Sequence, residues 1–317
     1  NSYICWYGIF TDMPIFNQQA QGYQDYVYGK DGVVAKFAPY VDGFRLDLAS
    51  ELQPFVLEGI RNRANEYGKH LILGEYWHKV PIEILGKGLD CPTNYPFTDA
   101  ILKFVAFGRG ADFAGKICDV LESYPKKTID TMFNSLDTHD MMRAIAILSL
   151  KCVRDEPDRI WEIDKEGSRW HVVRNGRGEF LTDDFRQFEF DNDKLRKEEY
   201  DLATRRLKVA VILQYFLPGI PCTFYGTEVG MHGFKDPFNR KCFPWNEENQ
   251  DRELFSFYQE IGKFRKLYHG AGSSFEVLYA DQDVFIFERR NETNSVFVAV
   301  NRGKQRRYVD VPEDFKG

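Results

Sequence analysis

The sequence predicts an α/β protein with a parallel sheet or a (β/α) barrel, followed by the start of an antiparallel β domain. Over residues 1–269, short apolar runs alternate with amphipathic helical segments, which is typical of parallel strands connected by helices. From residue 270 onward, strand-like segments follow one another without helices between them. We therefore expect an α/β segment over 1–269 and a β domain that begins at residue 270.

Five apolar runs are expected to form the parallel strands, because each is too short for a helix and neighbours a stretch with helical periodicity. They lie at residues 41–47, 70–75, 89–94, 131–136 and 220–225. The clearest helices are predicted at residues 51–67, 201–216 and 251–269. In the first of these helices, one apolar stripe is formed by Leu52, Phe55, Ile60, Ala64 and Tyr67.

Two parts of the chain depart from this alternation. Residues 152–200 are highly charged and contain short strand-like pieces, one of them starting at Trp170, so we predict an excursion between two barrel units. Residues 270–317 hold a linker followed by alternating segments. Their strands are predicted at residues 275–280, 284–290, 295–301 and 308–311. Since so few strands do not complete a β domain, we expect only its start.

Charge and cysteine usage exclude several classes of protein. The net charge is −6, and we interpret the densest basic segment, residues 302–307, as a solvated face and not as a nucleic-acid site. The six cysteines are widely spaced and form no CxxC pair, which predicts neither a zinc site nor a disulfide framework. Free thiols are typical of a reducing cytosol, so we expect a cytoplasmic protein.

No segment is expected to cross a membrane. The longest apolar stretch begins at Val209 and is interrupted by Gln214, Pro218 and Pro221. A spanning helix needs about 20 predominantly apolar residues without such breaks. The chain opens on Asn1 with no signal-like segment, so we expect a piece that was processed or cut from a longer protein.

The first candidate reactive group lies at the end of the run VDGFRLD. Residues two apart in a strand share a face, so Arg45 and Asp47 point the same way at the carboxyl end of the strand. Barrel enzymes place their catalytic groups at that end. A guanidinium beside a carboxylate favours the ionised acid, as a nucleophile requires. A plain ion pair at a strand end is the alternative interpretation.

A second carboxyl group ends the next strand candidate, LILGE. Glu75 is followed by the aromatic residues Tyr76 and Trp77, and a poorly solvated carboxyl group favours its protonated form. One ionised and one protonated carboxyl on adjacent strands, about 5 Å apart, is the arrangement of retaining glycosidases. His139 and Asp140 close the run FNSLDTHD, where an imidazole beside a carboxylate suits sugar hydroxyls. For His139 a structural role stays equally open.

These motifs together carry a resemblance to a known family. DGFRLDLA, LILGEYW, FNSLDTHD and GIPCTFYGTEVG stand in the order of the shared regions of the α-amylase family, glycoside hydrolase family 13. MPIFN, GEYWHK, TNYPFTDAI and DPFNRKCFPW resemble most the neopullulanase, cyclomaltodextrinase and maltogenic amylase group. The family's third-strand motif, Asp-x-x-x-Asn-His, does not occur. The resemblance therefore implies strands four to eight of a TIM barrel and the start of a C-terminal β domain.

The resemblance also implies roles for individual residues. Asp47 matches the nucleophile, Glu75 the general acid/base and Asp140 the third carboxylate, which grips sugar hydroxyls. Arg45 matches the arginine that holds the nucleophile, and His139 matches a sugar-binding histidine. Further sugar contacts are expected from Trp77, His78, Tyr95, Asn239 and Arg240. For the aromatic members of this set, packing at the rim or in the core is the alternative.

The function implied is a retaining α-glucan hydrolase that cleaves α-1,4 bonds in maltodextrins, cyclodextrins or pullulan. No organic cofactor is expected, and calcium is optional because no cluster has the spacing of oxygen ligands. The alternatives are a glucan transglycosylase, a non-catalytic carbohydrate-binding relative and an inactive fragment. Three explanations cover the missing strands: an additional N-terminal part, a second copy in a homodimer, or a subdomain cut from a larger enzyme, which we favour.

Overall fold

A computed structural model describes residues 14–150, 160–163, 170–174, 194–234, 237–268, 270 and 272–310. At 160–163 and 170–174 only the backbone is described. The chain forms two units that divide after Thr93, and each has its own sheet and helices.

The first unit is built on a three-stranded parallel sheet in the order β1–β2–β3. Its strands are β1 (Gly43–Leu46), β2 (Leu71–Gly74) and β3 (Cys91–Pro92). Its helices are α1 (Gln21–Tyr28), α2 (Val33–Phe37) and α3 (Pro54–Asn65). Gly43 lies opposite Leu71, and a Cβ atom at Gly43 would stand 2.3 Å from the carbonyl oxygen of Leu71. The glycine of the DGF motif is therefore required where the two strands approach closely.

Helix α3 confirms the predicted helix and part of its predicted apolar stripe. Proline at its first position supplies a backbone angle suited to a helix start. Its buried residues are Val56, Leu57, Ile60 and Ala64. Phe55 and Tyr67 are 37% and 44% exposed, so their assignment to the core face is wrong. Because helical neighbours on one face are three or four apart, Val56 and Ile60 define the face that Phe55 misses.

The second unit contains the remaining two parallel strands, β4 (Phe133–Ser135) and β7 (Ile220–Cys222), which pair with each other. A buried amide connects them, because Gln214 Nε2 donates to the carbonyl oxygens of Asn134 and Cys222, both at 2.9 Å. The helices of this unit are α4 (Tyr95–Phe107), α5 (Gly110–Ser123), α6 (Lys126–Thr131), α7 (Ala144–Ser149), α8 (Lys197–Phe216) and α9 (Arg252–Leu267).

The predicted excursion is described only in part. Strands β5 (Ile160–Ile163) and β6 (Trp170–Arg174) pair antiparallel, which confirms the strand-like piece at Trp170. Helix α8 begins at Lys197, inside the range assigned to the excursion, because Glu199 accepts the backbone N–H of Arg196 at 2.8 Å and caps the first turn. Most of 152–200 lies outside the described residues.

The C-terminal segment forms an antiparallel sheet in the order β10–β9–β8, as expected. Its strands are β8 (Glu276–Ala280), β9 (Val284–Arg290) and β10 (Ser295–Asn301). The fourth predicted strand is wrong for residues 308–310, which have no strand structure, and residue 311 lies outside the described part. Within the second unit the sheet packs on α4 and α5, where the Phe113 ring lies 4.8 Å from Phe104 and 4.7 Å from Phe285.

Arg302 corrects the interpretation of the basic segment 302–307 as a solvated face. Its guanidinium donates to the carbonyl oxygens of Val105 at 2.9 Å and Ala106 at 3.0 Å, and it pairs with Asp283. Residues 304–307 are exposed, as predicted. The first arginine of the run therefore holds the C-terminal sheet on helix α4.

Parallel pairing of the five predicted strands and the antiparallel C-terminal sheet are thus confirmed. The TIM barrel stays an implication of the resemblance, and the boundary at residue 270 stays a prediction. Four described cysteines, Cys91, Cys118, Cys222 and Cys242, are free thiols, whereas Cys5 and Cys152 lie outside the described residues. None of the described helices has the length and apolar character needed to cross a bilayer.

Candidate active site

In the first unit, one guanidinium contacts two carboxylates. Arg45, on β1, extends its Nη2 atom to within 2.8 Å of Glu75 Oε1. Its Nη1 atom contacts Asp47 Oδ1. Asp47 follows β1 and Glu75 follows β2, and these two strands are parallel neighbours. The predicted nucleophile and the predicted acid/base therefore lie around a single cation at the carboxyl ends of adjacent strands.

Glu75 is enclosed and bonded at both oxygens. Its side chain is 2% exposed, and its Oε2 atom accepts the backbone N–H of Leu48 at 3.0 Å. Leu48 has a φ of +43°, so the chain turns back toward Glu75 directly after Asp47. Gly74, the residue before Glu75, leaves room for Leu89, whose Cδ1 atom would lie 2.6 Å from a Cβ atom at position 74.

These contacts define the protonation chemistry of Glu75. An ionised carboxylate accepts hydrogen bonds at both oxygens, whereas a protonated carboxyl group donates from one of them. In the described arrangement both oxygens have donors, and the Arg45 guanidinium favours the ionised form. A protonated carboxyl group keeps acceptor capacity on both oxygens, so Glu75 can donate a proton while it still accepts from Leu48 and Arg45.

Asp47 has the opposite environment. Its side chain is 70% exposed, and Arg45 is the neighbour that supplies positive charge. An accessible carboxylate beside a guanidinium is suited to attack a carbon atom, while the enclosed Glu75 is suited to exchange a proton. The two predicted roles therefore match the difference in exposure.

The aromatic residues after Glu75 divide into packed and accessible side chains. Tyr76 is buried, and this burial, with a smaller contribution from Glu51, raises the pKa of its phenol to about 12. Its backbone N–H donates to Thr93 Oγ1 at 3.1 Å, so Tyr76 holds the segment in place. Trp77 is half-buried and His78 is exposed. These last two stay predictions as sugar contacts.

In the second unit, the loop after β4 carries the third carboxylate. Asp140 Oδ2 lies 3.1 Å from His139 Nε2, and Asp140 Oδ1 lies 3.2 Å from Arg240 Nη2. Arg240 Nε also donates to the carbonyl oxygen of His139 at 3.0 Å. All three side chains are partly exposed. The structure thus brings Arg240 onto His139 and Asp140, two adjacent residues that lie about a hundred positions earlier in the sequence.

Two predicted sugar contacts are interior side chains in this structure. Asn239 is 0% exposed, and its Nδ2 atom donates to the carbonyl oxygens of His139 and Met141, both at 2.7 Å. Asn239 therefore holds the loop of Asp140, and a sugar contact by this residue stays a prediction. Tyr95 is 2% exposed, which favours the packing alternative for this ring.

Sequence reasoning missed two buried charged residues beside this loop. Asp137 is 2% exposed, and burial raises the pKa of its carboxyl group to about 6. It accepts the N–H of Ala144 at 2.9 Å and the hydroxyl of Thr227 at 2.8 Å. Arg143 is 0% exposed and lies at the other end of the loop. The sequence signal that could have found them is the pair of charged residues on either side of the segment THDMM, residues 138–142.

No group of three or more His, Cys, Asp or Glu side chains within the described ranges is arranged to hold a metal ion. What the described residues do offer is a set of carboxylates with cationic partners. Two of them flank one arginine at strand ends, and a third stands with a histidine on the loop after another strand. Glycoside hydrolases use a pair of carboxyl groups that lie in different environments.

Comparison with known proteins agrees with this class. No protein-family model matches the chain. A cyclomaltodextrinase from a Bacillus species is 28% identical over 83% of this chain and 39% of its own length. Neopullulanase 2 from Thermoactinomyces vulgaris is 26% identical over 86% of the chain, and an intracellular maltogenic amylase from Bacillus subtilis is 23% identical over 86%. The chain spans 39% of each of these three curated relatives.

A solved cyclomaltodextrinase structure matches 91% of this chain and 41% of its own, with a TM-score of 0.68 and 26% identity. A cyclic maltosyl-maltose hydrolase from Arthrobacter globiformis matches 92% of the chain with a TM-score of 0.69, and at 21% identity it supports the fold alone. The homologues of this chain are therefore glycoside hydrolases named cyclomaltodextrinase, neopullulanase and maltogenic amylase, which confirms the resemblance found in the motifs.

Proposed function

We propose that this chain is a catalytic segment of a retaining α-glucan hydrolase that cleaves α-1,4-glucosidic bonds in maltodextrins, cyclodextrins or pullulan. The observation that carries the proposal is Arg45, whose guanidinium contacts both Asp47 and Glu75 at the ends of neighbouring parallel strands. The names of the relatives support an α-glucan as the substrate. An α-glucan is accordingly the proposed partner, with no nucleic acid or membrane involved.

In the first step, the Asp47 carboxylate attacks the anomeric carbon of the bound sugar. The bond between that carbon and the glycosidic oxygen breaks, and protonated Glu75 transfers its proton to the leaving oxygen. The products are a shortened glucan and a covalent glycosyl ester on Asp47.

In the second step, Glu75, now a carboxylate, removes a proton from water. The water oxygen attacks the anomeric carbon, and the bond to Asp47 breaks. Two inversions at the same carbon give net retention of the α configuration. Neither step needs an organic cofactor, and no step is assigned to calcium.

The proposed role of Asp140, carried by the resemblance, is to bind sugar hydroxyls and favour the distorted ring of the transition state. Contacts within its own unit support this role, because His139 and Arg240 flank the carboxylate while part of it stays accessible. Trp77, His78 and Arg240 are proposed to add sugar contacts. A homodimer and a cytoplasmic location also stand as proposals, the latter supported by the name of the intracellular maltogenic amylase.

The test is turnover of maltoheptaose and β-cyclodextrin by the 317-residue chain, with product anomers followed by proton NMR. The α-anomer should appear first, and Asp47→Asn should abolish turnover while sugar binding stays measurable. Asp31→Asn, which changes an exposed carboxylate of the same unit, is the matched control and should keep full activity. First appearance of the β-anomer, or unchanged activity of Asp47→Asn, would contradict the proposal. Longer oligosaccharides at high maltose would favour a transglycosylase instead.

A further inference from the structure

The loop that presents His139 and Asp140 is closed at both ends by buried charged residues of the second unit. Asp137 precedes the loop and Arg143 follows it, and their exposures are 2% and 0%. The hydroxyl of Thr227 joins the two ends, since it donates to Asp137 Oδ2 at 2.8 Å and accepts from Arg143 Nη1 at 3.3 Å. The base of the loop is therefore a fixed polar frame.

Arg143 is held by main-chain acceptors and aromatic rings. Its Nε atom donates to the carbonyl oxygen of Asn239 at 2.8 Å, and its Nη1 atom donates to that of Tyr225 at 2.7 Å. The guanidinium carbon lies 4.4 Å from the centroid of the Phe224 ring and 4.8 Å from that of Tyr225. A planar guanidinium can donate in several fixed directions and stack at once, whereas a lysine ammonium cannot reproduce this geometry.

The contact with Asn239 extends the frame to the far side of the loop. The backbone carbonyl of Asn239 is bound by Arg143, and the side-chain amide of the same residue donates to the carbonyls of His139 and Met141, both at 2.7 Å. These two carbonyls belong to the residues on either side of Asp140. The His139 carbonyl is part of the peptide group that precedes Asp140, and the Met141 carbonyl lies one peptide group beyond those of Asp140. The two contacts therefore restrain the backbone around Asp140 and, with it, the direction of its side chain.

We propose that Arg143 is a positioning residue for the third carboxylate, acting through Asn239 on the carbonyl groups of His139 and Met141, the residues on either side of Asp140. The importance of Asp140 for turnover rests on the proposed function. The relay itself, from Arg143 to Asn239 to the loop, consists of contacts within one unit and can be tested without turnover.

The decisive measurement is amide hydrogen exchange of the full chain with Arg143→Lys. The amides of Asp140 and Met141, which donate to Thr138, should exchange about tenfold faster or more, while the amides of β9 keep their protection. Asn239→Leu removes the relay at its second step and leaves the backbone acceptor of Arg143 in place. It should loosen the same amides, and it keeps the test available if Arg143→Lys does not fold.

Arg289→Lys is the matched control, because Arg289 is a fully buried arginine of the same unit that also donates to main-chain carbonyls, those of Phe216 and Gly270. It should leave the exchange of Asp140 and Met141 as in the wild type. Equal loosening of the loop by the control, or wild-type exchange in both Arg143→Lys and Asn239→Leu, would overturn the relay.

Kinetics on maltoheptaose separate this proposal from the proposed function. If the wild type turns over, Arg143→Lys should lower kcat about tenfold or more and change KM little, because a misdirected third carboxylate weakens the transition state more than the bound substrate. A rise in KM with unchanged kcat would overturn the positioning role. If the wild type gives no turnover, this chain is an inactive segment on its own, and the exchange data alone decide the relay.

Discussion

Asp137 should make the second unit less stable as the pH rises, and Asp137→Asn should remove that loss. Burial raises the pKa of this carboxyl group from an ordinary value of 3.8 to about 6 in the folded chain, although hydrogen bonds from Ala144 and Thr227 and the charge of Arg143 act in the opposite direction. Between these two values the folded state keeps a proton that the unfolded state has released. Stability therefore falls as the pH increases through this window.

The size of the effect follows from the difference between the two pKa values. One pKa unit corresponds to about 1.4 kcal/mol, so the shift of the Asp137 pKa corresponds to about 3 kcal/mol once the pH lies above both values. Asparagine keeps an oxygen that can accept from Ala144 and Thr227 but carries no charge. The variant should therefore match the wild type within about 1 kcal/mol near pH 4 and exceed its stability by about 3 kcal/mol near pH 7.5.

The assay is amide exchange of β9 in increasing urea, which reports the opening of the second unit. Variant and wild type are compared at the same pH, so the intrinsic exchange rate cancels. Asp112→Asn, at a side chain that is 69% exposed in the same unit, is the control and should differ from the wild type by less than about 0.5 kcal/mol at either pH. An Asp137→Asn difference that is the same near pH 4 and near pH 7.5 would refute the reasoning.

Two further predictions concern packing and are measured by urea unfolding. Arg302→Met should cost about 2–4 kcal/mol, because it leaves two carbonyls and a carboxylate without their cation, whereas Lys304→Met should change stability by less than about 0.5 kcal/mol. Gly43→Ala should cost about 1–3 kcal/mol by forcing β1 away from β2, while Gly22→Ala in α1, where a Cβ atom meets nothing within 4 Å, should stabilise by up to about 1 kcal/mol. Equal effects within either pair would contradict the packing argument.

The positions of the strands were predictable from the sequence, but their lengths were not. All five apolar runs contain a strand. Two of them end in a carboxylate, Asp47 or Glu75, which marks where the strand meets its loop. The ladders are shorter than the runs, and β3 pairs over only two residues. The last residues of the runs lie beyond the paired registers, and single backbone bonds continue the ladders there, as when Glu75 N donates to Leu46 O at 2.9 Å and Thr93 N donates to Gly74 O at 2.9 Å.

The candidate site was predictable where chemistry follows local spacing. Arg45 and Asp47 stand two apart on a strand, so their contact is a consequence of strand geometry. That the same guanidinium also reaches Glu75 depends on the register of β1 against β2, which no local pattern encodes. The burial of Asn239 has the same origin, since it is set by carbonyls about a hundred residues earlier in the chain.

Arginine has two different functions in this molecule, and the acceptors around each guanidinium distinguish them. Arg45 faces two carboxylates, so its contribution is positive charge, and a lysine there would keep the charge. Arg143 faces main-chain carbonyls and two aromatic rings, so its contribution is the direction of several hydrogen bonds, which lysine cannot supply. The sequence shows both simply as an arginine near an aspartate. Lysine at Arg143 should therefore speed amide exchange in the loop after β4, because losing the direction of the hydrogen bonds is enough to release that loop. Lysine at Arg45 should change amide exchange in the loop after β1 less.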